Sequence, residues 1–465
     1  MGLRDRLDRA SGHNGKSLEQ ASPAAIAPPR IESTPHRTAI YQNVERLIHQ
    51  RLIDYIDTHR LSVNDSPEMR QQIRVLLEQM LEQENPPLNK EERHNLLLDV
   101  EDETFGLGPL EPLLRDATIN DILVNRANEV YIERFGRLER TEVTFRDNAH
   151  LMQMIERIVS RVNRRIDESS PMVDARLPDG SRVNAIIPPL AVDGAVLSIR
   201  RFYQNPLTME DFLRFGTLNK TAALLLEAAV KTKLNILVSG GTGSGKTTLL
   251  NVLVRFISAS ERVVSIEDTV ELRLQGLHFV RLETRPPNIE GQGEVTQRNL
   301  LRNALRMRPD RILIGEVRGD EAYDMMQAMN TGHKGSITTI HANSPRDALA
   351  RLETMILMAG VNLTSEAIRR QISSALDLVV QLQRFPDGNR RVVSVSEIAG
   401  MEEQMIKLQE VFKFDSKKGT PGSTVKGEFV TTGILPAFLE ELHQTGNPLS
   451  LSLMAQWQTI ENTRG

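Results

Sequence analysis

An α/β fold built on a parallel sheet is what this sequence predicts, and three observations predict it. From about residue 221 onward, short β-type runs (NILVSG, RVVSIED, RILIGEV, SITTIHA) alternate with helical segments, the signature of parallel strands covered by helices on both faces. A glycine-rich stretch, GGTGSGKTT, sits between one such strand and the helix that follows it. Upstream, residues 115 to 203 mix strand and helix patterns, and residues 39 to 100 place apolar side chains at helical spacing.

The elements follow in order. Residues 1–36 mix Pro, Ala, Ser and charge without periodicity (SPAAIAPPRIESTP) and read as a disordered tail. Residues 37–104 read as a small helical module of three amphipathic helices, from YQNVERLIHQRLIDYID, MRQQIRVLLEQMLEQ and NKEERHNLLLDVEDE. The glycines and prolines of FGLGPLEPLL break that pattern. A mixed α/β N-terminal domain is expected over 105–205. DILVN, EVYIER, SRVNAIIPPL and GAVLSIRRF are its strands, and HLMQMIERIVSRVNRRI is its helix. Residues 206–220 read as a linker, and 221–465 as the second α/β domain, in which LVVQLQRF and RRVVSVSEIAG flank a PDGN hairpin turn. No internal repeat is visible.

Composition excludes several classes. At 465 residues the chain is too long for one ordinary core, so two or three domains are expected. No stretch of about 18 uncharged apolar residues is present, so no transmembrane segment is expected. The opening MGLRDRLDRASGHNGKSLEQ has no apolar core of a secretory signal. With no cysteine there is no disulfide, thiolate or cysteine zinc site, and these points together favour the cytoplasm. A net charge of −4 and 4% aromatic residues give no reason to expect direct nucleic-acid binding.

The strongest chemical motif is Gly240-Gly241-Thr242-Gly243-Ser244-Gly245-Lys246-Thr247, with Thr248 opening the helix behind it. Gly, four residues, then Gly-Lys-Thr is the phosphate-loop pattern. Its glycines let backbone N–H groups turn inward, and the helix N-terminus adds positive potential. Lys246 would reach the β- and γ-phosphates, and the Thr247 hydroxyl would ligate Mg²⁺. A similar GKS at 15–17 lacks the first glycine and a preceding strand. The pattern Asn-Lys-x-Asp that specifies guanine is missing, which favours ATP over GTP.

Binding a nucleotide is not hydrolysing it, so acids matter. Glu316 ends the apolar run Arg311–Gly315, where an acid at a strand's C-terminal end can hold Mg²⁺ or orient water. Glu267, Asp268 and Glu271 follow Val263-Val264 in SIEDTVEL. The plainer reading makes these acids solvated helix caps. His333 and His341 stand eight residues apart in GHKGSITTIHANS, with no third ligand at a regular metal spacing.

The order of these motifs, from GGTGSGKTT through SIEDTVEL and LRMRPDRILIGEVRG to GHKGSITTIHANSP, resembles the secretion ATPases of type II and type IV systems, including pilus and archaeal flagellar motors. FGLGPLEPLLRDATINDILVN, DARLPDGSRVNAIIPP and ISSALDLVVQLQRF are most similar to the CpaF branch, which serves tight-adherence (Flp) pili. The resemblance implies a RecA-like motor domain behind an N-terminal domain, with ATP in the cleft between them. It implies a homo-hexameric ring in the cytoplasm, peripheral to the inner membrane and docked on platform proteins, that powers pilus assembly or also retraction.

Carried over by residue, Glu316 becomes the Walker B acid. Glu271 or Glu267 becomes the water-activating acid, a choice the residues do not make. His341 and His333 become γ-phosphate sensors. Arginine fingers are expected in DARLPDGSR…SIRRF, where Arg182 and Arg200 are preferred over Arg176 and Arg201, acting on their own chain's ATP or a neighbour's. The alternative is an ATPase of a type IV effector or conjugative system. A nucleic-acid translocase and an ATP-binding scaffold without turnover stand further off, the latter opposed by intact Lys246, Thr247 and Glu316.

Overall fold

The computed structural model describes residues 39–59, 66–134, 136–162, 164–202, 207–272, 278–287, 292–416 and 425–444. The expected tail at 1–36 lies outside them. The chain forms two compact units. One ends at Glu111 and takes in Thr141–Arg146, and the other holds Pro112–Arg140 and the described residues from Asp147 onward.

The first unit is helical: α1 (Ala39–Thr58), α2 (Pro67–Glu84) and α3 (Lys90–Phe105). Local chemistry sets the ends. Ser66 accepts from the Met69 amide and Pro67 occupies the first turn of α2, where a missing N–H costs nothing. Asn85 closes α2 in the left-handed region, and Asn89 with Glu92 forms a capping box on α3. The apolar stripes of the three helices then meet, burying Ile48, Leu52, Ile73, Leu77, Leu96 and Val100. A fork of Arg74 on Glu101, at 2.5 and 2.7 Å, ties α2 to α3.

A short turn and α4 (Glu111–Arg115) carry the chain into the second unit, which opens with a six-stranded antiparallel sheet. Its strands are β1 (Ile119–Arg126), β2 (Glu129–Arg134), β3 (Arg137–Arg140), β4 (Met172–Arg176), β5 (Arg182–Ile186) and β6 (Val196–Arg200), ordered β3-β2-β1-β6-β5-β4. Alternate residues (Ile122, Val124, Val130, Ile132, Val183, Leu197, Ile199) are buried, as a one-faced sheet requires. The amphipathic α5 (Asn148–Arg161) buries Leu151, Met154, Ile155 and Ile158. Two strands exceed the expected four. RLER of β3 and MVDAR of β4 are edge strands whose charged residues hide any apolar alternation.

The 206–220 stretch, expected as a linker, instead carries α6 (Met209–Arg214). Thr208 and Asp211 cap it reciprocally, and Met209 and Phe212 are buried in the core below the large sheet. After α7 (Lys220–Lys231) comes the nine-stranded sheet, ordered β15-β14-β13-β12-β7-β11-β10-β8-β9. Its parallel part contains β7 (Ile236–Gly240), β8 (Val263–Glu267), β9 (Phe279–Glu283), β10 (Arg311–Val317), β11 (Ile337–His341) and β12 (Leu378–Arg384). An antiparallel extension follows: β13 (Arg390–Glu402), β14 (Met405–Ser416) and β15 (Gly427–Thr431).

Helices cover both faces. Ile236 and Val238 of β7 pack in one core with α7 and α8 (Lys246–Val254), whereas Leu237 points into the other. That second core is closed by α9 (Gln297–Ala304), α10 (Glu321–Asn330), α11 (Pro345–Met358) and α12 (Ser365–Ala375). A final helix, α13 (Ala437–Gln444), returns to the first core through Phe438 and Leu439. Burial on both faces is why these strands read as continuous apolar runs.

Polar staples fix the edge where the parallel strands begin. Arg311, 1% exposed, forks onto Glu261 at 2.8 and 3.0 Å, and Lys233 joins at 3.0 Å. Asn235 accepts from the Gly335 and Ser336 amides and donates to Ala375 O. Gly335 is obligatory, because its φ is +83° and a Cβ there would lie 2.5 Å from Arg311 Nη1.

Candidate active site

Parallel strands end together, so β7, β8, β10 and β11 deliver their last residues to one edge of the sheet. In register, Gly240 lies beside His341 on one flank and Leu382 on the other. The loop from Gly241 to Gly245 turns over this edge and α8 begins at Lys246. Glycine is demanded locally. Gly243 and Gly245 have φ of +65° and +97°, and a Cβ on Gly240 would meet Ser244 Oγ at 2.4 Å and Leu382 O at 2.7 Å. Ser244 Oγ donates to Gly241 O and closes the turn. Thr247 and Thr248 stand half-buried in the first turn of α8.

Lys246 folds onto this loop, donating to Gly240 O and Gly241 O, each at 3.1 Å, and reaching 3.4 Å from His341 Nδ1. Burial pushes its ammonium below the usual lysine range, and the charge of Glu316 draws it partly back. An ammonium only donates, so His341 Nδ1 accepts and its Nε2–H faces Thr242 Oγ1 at 3.2 Å. Burial, then Lys246, push His341 below the ordinary histidine range, which favours the neutral ring, and Glu316 opposes them in part. Glu316 Oε1 lies 4.0 Å from His341 Nδ1, and Glu316 Oε2 accepts from Arg318 at 2.9 Å. Burial opposes the charge of Glu316, but Arg318 and then Lys246 outweigh it and hold the carboxyl below its usual range.

The two candidate water-activating acids occupy different places. Glu267, only 2% exposed at the end of β8, turns back under the loop and accepts the Glu271 and Leu272 amides at 2.7 and 2.9 Å. Burial raises its pKa, which these amides partly offset. Its side chain also occupies the space beside Gly315, where a Cβ would sit 3.0 Å from Glu267 Cγ. That contact is a physical reason for glycine, rather than the usual aspartate, before Glu316. Glu271 faces outward and pairs with Arg182 at 3.0 Å.

Of the four candidate finger arginines, Arg176, Arg182, Arg200 and Arg201, two reach this acidic turn. Arg182 also donates to Thr269 O, and Arg176 holds Val270 O at 2.6 Å and Glu283 at 2.8 Å. Arg200 stands beside Arg182 in register yet pairs with Asp121 at 3.1 Å, and its side chain is 61% exposed. Arg201 is spent on the carbonyls of Asp116 and Ile119. Within one chain, therefore, Arg182 joins the cluster and Arg200 does not.

His333 lies elsewhere. It precedes β11, and a five-residue strand rising about 3.3 Å per residue separates it from His341. Its Nδ1 lies 3.3 Å from Ala328 O at the end of α10, beside the Gly335–Arg311 staples rather than the phosphate loop. Nearness in sequence hid positions at opposite ends of one strand.

Reasoning from sequence missed several residues here. Arg318 bridges Glu316 and Asp268, the latter at 3.2 Å. Arg390 donates to Gly243 O at 2.8 Å, and Arg384 lies beside it. Arg318 is two positions past Glu316, a proximity that could have flagged it; the other two come from the distant β12–β13 hairpin and carried no such signal.

A model of the type II/IV secretion system protein family matches residues 103–425, more than half of the chain. The chain belongs to the type II/IV secretion system protein family. A model of the N-terminal domain of type II secretion system protein E matches residues 41–103. A Mycobacterium tuberculosis protein named for conjugal transfer is 36% identical over 323 residues, covering 68% of this chain and 90% of the relative. The type IV secretion system protein VirB11 of Brucella suis is 34% identical over 318 residues, covering 62% and 88%. A crystal structure of VirB11 ATPase from Brucella suis, in complex with sulphate, covers 63% of this chain and 96% of that one, at 34% identity and a TM-score of 0.34. Membership implies ATP hydrolysis. No helix among the described residues is long and apolar enough to cross a membrane.

Proposed function

We propose that this chain is a Mg²⁺-dependent ATP hydrolase that works as a six-membered cytoplasmic ring and drives a type IV secretion or conjugative machine through inner-membrane platform proteins. The observation that supports the chemistry is convergence: His341 lies 3.4 Å from Lys246 and 4.0 Å from Glu316 at the sheet edge that carries the phosphate loop. The residues fit a Mg²⁺-bound triphosphate, because Gly240 leaves no room for a Cβ, Gly243 and Gly245 take the positive φ that turns the loop, and Thr247 places a hydroxyl in the first turn of the helix behind it. Bound Mg²⁺ would supply charge neutralisation between the β- and γ-phosphates.

In this reading Lys246 exchanges the carbonyls of Gly240 and Gly241 for phosphate oxygens. The Nε2–H of neutral His341 donates to the terminal phosphate in place of Thr242. Glu316 would help hold Mg²⁺ beside Thr247, and Glu271, released from Arg182, would position the attacking water. Glu267 shapes the turn that presents Glu271. Arg182 then stabilises the developing charge, while exposed Arg200 serves a neighbouring copy's site. Residues 105–205 act as the N-terminal domain and 221–465 as the motor.

The names of the relatives favour conjugal transfer and type IV secretion over a tight-adherence pilus. The pilus reading keeps one specific support, the type II E N-terminal match at 41–103 together with FGLGPLEPLLRDATINDILVN. Deleting the gene in its own host separates the two. Loss of DNA or effector transfer with surface filaments intact supports the first reading, and loss of filaments alone overturns it in favour of the second.

A further inference from the structure

The acids and His341 claim one flank of the phosphate loop, through β11 and β10. The other flank belongs to β12, which pairs with β7 on the side away from β11. Here Arg384, at the end of β12, and Arg390, at the start of β13, are cross-strand partners. Both lean over the crown of the loop. Arg390 Nε donates to Gly243 O at 2.8 Å, and a Cβ on Gly245 would lie 3.5 Å from Arg390 Cδ. A Cβ on Gly243 would lie 3.3 Å from Arg384 Nη1.

Like charges placed directly opposite on neighbouring strands repel. The carboxylate of Glu133 in β2 stands between them, Oε2 3.8 Å from Arg384 and Oε1 3.6 Å from Arg390. Both separations exceed a hydrogen bond, so Glu133 attracts the pair without docking either fork. Arg384 further donates to Gly136 O, in the turn between β2 and β3. The arginine pair is therefore tied on one side to the phosphate loop and on the other to the first sheet.

We propose that Arg384 and Arg390 are nucleotide-binding residues that grip the α- and β-phosphates from the flank opposite Glu316, and that Glu133 is their resting counter-ion, displaced when nucleotide binds. Paired guanidinium forks suit a chain of phosphate oxygens, whose bidentate geometry a carboxylate at 3.6 to 3.8 Å does not use. Exchange of Glu133 for phosphate leaves the β2–β3 hairpin held through Gly136 O and without the carboxylate's pull, so the first sheet reads the loaded state of the site. This inference rests on the nucleotide reading of the loop and assigns its second set of cations.

The test is calorimetric binding of ADP to the full chain and to Arg384→Gln, Arg390→Gln, Glu133→Gln and Lys246→Ala. A charge-assisted contact to phosphate predicts roughly tenfold weaker binding for each arginine variant. Removing a competitor for half-buried cations predicts Glu133→Gln to bind tighter by a factor of about three. Arg390→Lys, which keeps charge but not the fork, should fall between wild type and Arg390→Gln. A structural staple would behave differently, because losing either partner then loosens the loop. Weaker binding by Glu133→Gln alongside the arginine variants, or arginine variants that bind as wild type, overturns the proposal. If Lys246→Ala binds ADP as well as wild type, the nucleotide reading itself fails and this inference falls with it. Should Arg390→Gln not fold, the opposite signs expected of Arg384→Gln and Glu133→Gln decide alone.

Discussion

Replacing Glu267 with alanine should damage the fold, whereas replacing Glu271 should damage the chemistry. Glu267 Oε2 is the acceptor for two amides, and the Leu272 amide it serves is buried. Truncation leaves both donors without that acceptor and opens a void against Gly315. A stranded donor costs about 1–3 kcal/mol, so the gross loss for the two is roughly 2–6 kcal/mol, toward the lower end because one of them is only partly buried. Relief from burying a carboxyl whose pKa burial has already raised offsets part of it. A net loss of about 2 kcal/mol remains. Glu271 makes a half-exposed pair with Arg182, worth about 1 kcal/mol or less. Urea unfolding followed by circular dichroism, run beside ATP turnover, checks both. The expected pattern is Glu267→Ala unfolding at clearly lower urea, and Glu271→Ala unfolding near wild type while turnover collapses. A Glu267→Ala chain as stable as wild type but inactive would refute the assignment and return the water-activating role to Glu267.

The other predictions concern the two ends of the strands. Burial opposes the charge of Glu261, but Arg311 and Lys233 outweigh it and hold the carboxyl at about 2. A depressed carboxyl contributes stability that is complete above its unfolded pKa of 4.5 and is lost as pH falls toward 2, up to about 3 kcal/mol. The gap in urea midpoint between wild type and Glu261→Gln should therefore shrink between pH 5 and 3, and a constant gap contradicts the ion pair's role. At the other end, His341→Ala should cut ATP turnover by tenfold or more, on the order of one lost charge-assisted contact. His333→Ala should leave turnover within about twofold, since it touches only the carbonyl region of α10. Steady-state kinetics of both variants checks the pair, and equal losses would contradict the separation.

Much of this was legible because period and motif agree. The continuous apolar runs announced a sheet buried on both faces, and GGTGSGKTT announced a strand–loop–helix turn whose glycines the backbone demands. What escaped is instructive. β3 and β4 escaped because edge strands bury little and their charged residues mask alternation. α6 escaped because six residues with a proline nearby resemble a loop, though Thr208 and Asp211 spell a capping box at the spacing the rule requires. Glu267 and Glu271 differ by four positions, and only the turn between them decides which is buried. Arg384 and Arg390 reach Gly243 from about 140 positions away, a proximity that is a property of strand order alone.

The most direct measurement is ATP turnover by the wild-type chain and by Glu316→Gln at matched ATP occupancy, across a range of protein concentration. The account predicts Glu316→Gln to bind ATP nearly as wild type while losing at least a hundredfold in turnover, the scale of a catalytic acid. It also predicts that wild-type specific activity rises with concentration as copies assemble. A Glu316→Gln chain that hydrolyses ATP at the wild-type rate would contradict the account, because the edge where Lys246, His341 and Glu316 meet would then not be where the chemistry occurs.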